Sequence, residues 1–189
     1  GSLSGDYNVA IGASALTANT SGELNVGVGG FALFATTSGS QNTGLGSQAL
    51  ESNTTGTYNT AVGRQALYAN TTGLSNVAVG VSALQSNTTA SNNTAVGYQA
   101  LYANTTGTEN SAVGTGTLDA NTTGYQNTAV GYIALGTNQT GYANSGFGRE
   151  AMRYNTTGYR NVALGNTSME SNTTGAENVA VGYTALRYN

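Results

Sequence analysis

Few residues in this chain can do chemistry. Its 189 residues include five arginines, eight carboxylates and twelve tyrosines, and no histidine, cysteine, lysine, proline or tryptophan. Without His or Cys there is no zinc or haem ligand set, no Ser-His-Asp triad and no disulfide framework. The only aspartates are Asp6 and Asp119, too few for Asp-rich calcium repeats. No pair of carboxylates recurs at a catalytic spacing; Glu150 and Glu170 read as separate solvated charges. Glycine is abundant, but no G-x-x-x-x-G-K-[ST] phosphate cradle occurs. No catalytic residue, metal or cofactor is therefore expected. A net charge of −3 without lysine argues against nucleic acid or an anionic membrane as partner. No apolar run is long enough to insert in a bilayer.

What remains is aromatic and cationic surface. Tyr125, Tyr142 and Tyr159 recur at one constant interval, with Tyr132, Arg149, Arg153, Tyr154 and Arg160 in the same stretch. Rigid aromatic area with interspersed guanidinium groups suits a sugar or protein ligand, because few rotamers must be frozen on binding. The plainer alternative is that stacked tyrosines stiffen the molecule.

The element that positions these residues is a repeat. Asn followed by a small residue, an apolar residue and Gly recurs at Asn8, Asn25, Asn42, Asn59, Asn76, Asn93, Asn110, Asn127, Asn144, Asn161 and Asn178, with the same interval throughout. Numbering each copy 1 to 17 from that Asn, the consensus is N-x-A-V-G-x-x-A-L-x-x-N-T-T-G-x-x, best seen over 93–109. Such periodicity marks a solenoid and makes residues 1–189 a single repeat domain. Position 4 is always large and apolar, position 9 always Leu or Met, and positions 3 and 8 nearly always Ala or Gly. These four columns are the expected core. Every charge and every tyrosine falls at positions 6, 7, 10, 11, 16 or 17, the expected outer surface. Gly holds position 5 in every copy and position 15 in all but one, where Ala90 stands. Fixed glycines imply φ > 0 or a close neighbouring chain, and Asn at positions 1 and 12 fits the same left-handed need.

Positions 1 to 4 read as a short strand ended by Gly. Stacked in register at about 4.8 Å, eleven such strands give a rod roughly 50 Å long, with Asn and Thr ladders along it. Positions 6 to 11 (YQALYA, REAMRY) admit either a second extended arm or one short helical turn. Helices need about 8–10 Å between axes, which favours the extended arm. The fold expected is thus an all-β parallel β-solenoid or β-roll of eleven repeats. Its core is thin. Two large apolar side chains per coil, worth about 1.5–3 kcal/mol each, oppose roughly 1–2 kcal/mol of backbone entropy per residue. Association would relieve this, and the small Ala and Gly columns suggest a homotrimer packed about a three-fold axis. Neither end carries a polar capping repeat, and Gly1-Ser2 departs from the pattern. That predicts a segment of a longer fibre or end-to-end stacking into filaments.

The N-x-A-[VIL]-G motif with its Ala-containing arm and Gly turn resembles the head repeats of trimeric autotransporter adhesins, which form a parallel β-roll. The longer N-T-A-V-G-Y-Q-A-L-Y-A-N-T-T-G form is similar to repeats of phage tail-fibre-like and bacterial surface-fibre proteins. The resemblance covers residues 4–189 and departs from the adhesin heads by additional residues around N-T-T-G. It implies a non-catalytic trimeric fibre, at a cell surface or on a virion tail, with a glycan or protein receptor. The competing expectation is an ice-binding β-solenoid presenting threonines, though the adjacent threonine columns of positions 13 and 14 point to opposite faces of an extended chain. A repeat-built polysaccharide enzyme ranks last for want of paired acids. The N-T-T triplets also form sequons at Asn53, Asn70, Asn87, Asn104, Asn121, Asn155 and Asn172, whose fixed register favours a turn-and-ladder role over glycan attachment.

Overall fold

A computed structural model describes residues 5–188; the departure at Gly1-Ser2 and the final Asn189 lie outside them. Positions 2 to 4 of each repeat form a short strand, from β1 (Val9–Ile11) to β11 (Val179–Val181). All eleven lie in chain order in one parallel sheet. Each strand residue pairs with its equivalent in the next coil, as in Val77 with Thr94, Ala78 with Ala95 and Val79 with Val96. The molecule is an all-β solenoid, and the described residues contain no helix.

The stretch from position 6 to 11 is neither a helical turn nor a regular strand. Most of its bonded backbone donors point along the solenoid axis into neighbouring coils. Gly97, just before it, and Gln99 donate to Val79 and Val81 of the coil before (2.8 and 3.1 Å). Leu101 and Ala103 donate instead to Thr117 and Asp119 of the coil after (3.0 and 2.9 Å). A helical turn would spend those donors within its own coil and could not stack at strand spacing.

What lets so short a coil close is left-handed backbone. Positions 7, 9 and 17 have φ between 48° and 62° in every copy, and Gly116 is the one glycine among them. Position 9, the Leu and Met column, is left-handed from Leu16 to Leu186. Left-handed geometry costs an L-residue roughly 1–2 kcal/mol, so it persists only where the surroundings hold it. Here each such residue away from the end coils turns a corner while its N–H still bonds an adjacent coil: Leu84 donates to Ala100 and Glu109 to Ser91. The asparagines of positions 1 and 12, expected to be left-handed, are not; the one described asparagine with positive φ is Asn92, at position 17.

Asparagines at positions 1 and 12 instead form two buried ladders. Asn59 Nδ2 donates to Asn42 Oδ1 (3.2 Å) and to Gly73 O (2.8 Å), and the Asn59 backbone N–H reaches the same Asn42 oxygen (3.0 Å). In the second ladder Asn121 Nδ2 bonds Asn104 Oδ1 and Gly124 O, both at 2.9 Å. The sequon asparagines from Asn53 to Asn155 are fully buried, so they serve the ladder and are closed to glycan attachment in the folded chain. Two glycine columns keep the coils this close. At position 5, φ lies between 122° and 139°, and in all but the last coil a Cβ would strike the next coil's glycine backbone. At position 15 φ is ordinary, and close approach alone makes a side chain costly. Ala90 is accommodated with fewer bonds. The N–H groups of Thr54, Thr55 and Gly56 all donate to Thr71 O, whereas of those at 88–90 only the Thr88 N–H reaches Thr105 O.

The core corrects one expectation. Leu and Met of position 9 and Ala or Gly of positions 3 and 8 are buried through the interior coils, but position 4 faces outward. Ile11, Leu45, Val113, Val130, Phe147, Leu164 and Val181 are exposed there. Strand alternation explains it. Position 3 points in, so positions 2 and 4 must share the opposite face. With Leu and two Asn ladders already inside, the remaining interior accepts only methyl groups. The Ala and Gly columns are therefore enclosed by their own chain, and no three-fold axis can run along them.

Candidate functional site

The candidate surface residues divide into two clusters. Tyr125, Tyr142 and Tyr159, all at position 16, form a stack because the coils superpose in register. Ring centroids are 5.0 and 4.9 Å apart, with planes inclined by 3° and 2°. The Arg160 guanidinium lies over the Tyr159 ring at 5.8 Å and pairs with Glu177 of the next coil at 3.0 Å. The hydrogen bond to Glu177 is the main cause that holds this guanidinium above its ordinary value. Beside Tyr125, Gln126 Nε2 donates to Glu109 Oε2 at 2.9 Å, again one coil apart.

The second cluster comes from positions 6, 7, 10 and 11. Glu150, buried, receives Arg149 at 2.9 Å and Arg153 at 3.4 Å. Arg149 lies 6.0 Å from the Tyr132 ring centre, and Arg153 lies 5.0 Å from that of Tyr154. Asp119 shares the column of Arg153, two coils away with Gly136 between. Burial, above all, pushes the Asp119 carboxyl up, while backbone N–H groups and Arg153 pull the other way. Further along that column Arg187 Nε meets Glu170 at 2.7 Å. No hydrogen bond, ion pair or ring contact among the described residues joins this cluster to the tyrosine stack.

No protein-family model, curated protein or solved structure matches the chain. The site must be read from its own geometry.

In the sequence Glu150 reads as a lone acid, yet it is the residue that binds Arg149 and Arg153 together. Nothing in the sequence places it inside, because its equivalents at position 7 are mostly half-exposed. The other pairs do leave a signal. Arg160 with Glu177 and Glu170 with Arg187 are opposite charges one repeat apart, which an in-register coil must bring into contact.

Chemically, Glu150, Glu170 and Glu177 are spent on guanidinium groups and Glu109 on the Gln126 amide. No three residues of metal-binding type gather among the described residues. The surface offers aromatic faces, fixed ion pairs and a third feature: the outward face of positions 2 and 4. That face carries Val, Leu, Ile or Phe at position 4 in every coil and Val, Thr or Ser at position 2. It is an uncharged stripe running the length of the sheet, apolar in every coil at position 4 and carrying Thr or Ser at position 2 in six of the eleven coils.

Proposed function

We propose that the chain is a non-catalytic rod segment of a trimeric extracellular or phage tail fibre, giving reach and rigidity and presenting an adhesive surface. The observation that carries this reading is the unbroken apolar column of position 4 on the uncharged outer face of the strands. Contiguous apolar surface of that extent marks an interaction site in a soluble protein. Its partner is two further copies of the same chain, since a straight face repeating every coil is matched best by another with the same rise. The in-register ladders and cross-coil backbone bonds supply stiffness. The tyrosine stack sits at position 16, off this face, so it stays open for a receptor when the stripe is covered.

Light scattering after gel filtration tests the reading. A species near three times the 19.0 kDa chain is expected. A monomer at micromolar concentration would overturn the trimer. The ice-binding alternative draws on the file of exposed threonines at position 14, from Thr55 to Thr174. Hydroxyls of position 13, such as those of Thr54 and Thr71, are committed to carbonyls of the next coil at 3.0 Å, which leaves that file without a parallel companion.

A further inference from the structure

We propose that the outer face of Tyr125 is a stacking site for the apolar face of a pyranose sugar, of which a β-galactoside is one example. This rests on the reading of the chain as an adhesive rod and names where on it the ligand sits.

The three-ring stack has two different ends. Tyr142 is covered on both faces by its neighbours, and Tyr159 carries the Arg160 guanidinium in addition to the ring of Tyr142. Tyr125 is covered by Tyr142 on one side only, and no ring or guanidinium among the described residues lies over its other face. It is correspondingly 41% exposed. The residues of the same column in the two preceding coils are Thr108 and Ser91, and the one before them is Leu74. The short side chains of Thr108 and Ser91 leave the ring projecting over a shelf about 10 Å deep along the axis. One stacking position is therefore empty within a register that elsewhere places rings 5.0 and 4.9 Å apart.

The rim selects the ligand. Glu109 and Gln126, one column over, are tied by a single bond from the amide to Glu109 Oε2, which leaves Oε1 as a free acceptor at the shelf edge. The Thr108 hydroxyl on the shelf makes no hydrogen bond to the described residues, and it can both donate and accept. An aromatic face bordered by a carboxylate, an amide and a hydroxyl suits a molecule with one apolar face and a polar perimeter. A hydrocarbon or plain aromatic ring would gain nothing from that rim. β-Galactosides present C–H groups at carbons 3, 4 and 5 on one face and hydroxyls around the edge. A single open shelf gives weak, millimolar-range binding, which several copies on one fibre would multiply.

The test uses methyl β-D-galactopyranoside and saturation-transfer NMR on the full chain. Saturation is expected on the protons at carbons 3, 4 and 5. Thr108→Tyr adds a fourth ring to the stack and fills the shelf without disturbing a fully buried residue. It should keep the wild-type circular dichroism spectrum and weaken binding at least tenfold. Glu109→Ala, at an exposed position, should weaken it several-fold. Absence of saturation in the wild type, or saturation unchanged by Thr108→Tyr, would overturn the site. The same samples on light scattering report the trimer separately, so loss of the sugar site leaves the fibre reading standing, and a monomer that binds galactoside does the reverse.

Discussion

Thr36 occupies position 12, where the other coils from Asn19 to Asn172 carry the ladder asparagine, and its hydroxyl is buried without a partner. A carboxamide carries its acceptor and its donor on separate arms, so Asn can face its own coil and both neighbours at once. The single oxygen of Thr lacks that reach. Thr36→Asn should therefore join the ladder on both sides and stabilise the fold by about 1 kcal/mol, read as a higher midpoint in chemical denaturation. Asp119 shows a different kind of local cost. Its folded carboxyl titrates above the ordinary value because burial disfavours the charge. The folded state then holds its proton more tightly than the unfolded one. Stability contributed by this group is fully present below the unfolded value and lost as pH rises through the folded value. Asp119→Asn removes that dependence. The variant should be the more stable of the two at neutral pH, with the gap closing in acid, as followed by thermal unfolding across that range. Thr36 is visible in the sequence as a break in a constant column, whereas Asp119 stands in a variable outer column and nothing there marks its burial.

At the scale of the coil, the strand, its glycine stop and its constant register are legible directly, since NTAV followed by an invariant Gly leaves few alternatives. The orientation of that strand is not, for a physical reason. Val and Leu at position 4 are larger than Ala at position 3, and size suggests an interior place. A narrow coil already filled by the leucine of position 9 has space only for the smaller residue. Nor is the left-handed backbone at Leu16 or Leu84 legible, because bulky residues are poor candidates for it in isolation. Stacking overrides the local preference: the corner is held by hydrogen bonds to the adjacent coils, which no single repeat contains. The position 9 column should thus behave as a continuous core whose value depends on having a coil on each side. Leu84→Ala, fully buried in the middle, should cost about 3 kcal/mol. Leu186→Ala, in the last coil and 47% exposed, should cost about 1 kcal/mol or less. Urea midpoints of the two variants check this; equal losses would mean that the coils do not share one core.

For the whole molecule, the outward turn of position 4 moves the expected interface rather than removing it. With the Ala and Gly columns sealed inside each chain, their smallness explains close stacking along the rod and says nothing about packing across it. On the proposed fibre reading, side-by-side association uses the face that the strands turn outward, and positions 2 and 4 are the strand columns there. Val96 lies near the middle of this stripe, half-buried in the single chain, and its side chain points away from the core. An aspartate at Val96 would sit in water in a monomer but would be a buried, unpaired charge in a trimer, a loss of several kcal/mol repeated in each copy. Val96→Asp should therefore leave the sheet signal in circular dichroism unchanged while the solution mass falls from three chains toward one. Arg64→Asp, on an exposed column outside the stripe, should change neither. If the mass of Val96→Asp stays at three chains, the contact lies on another face, and the tyrosine stack becomes the next surface to charge.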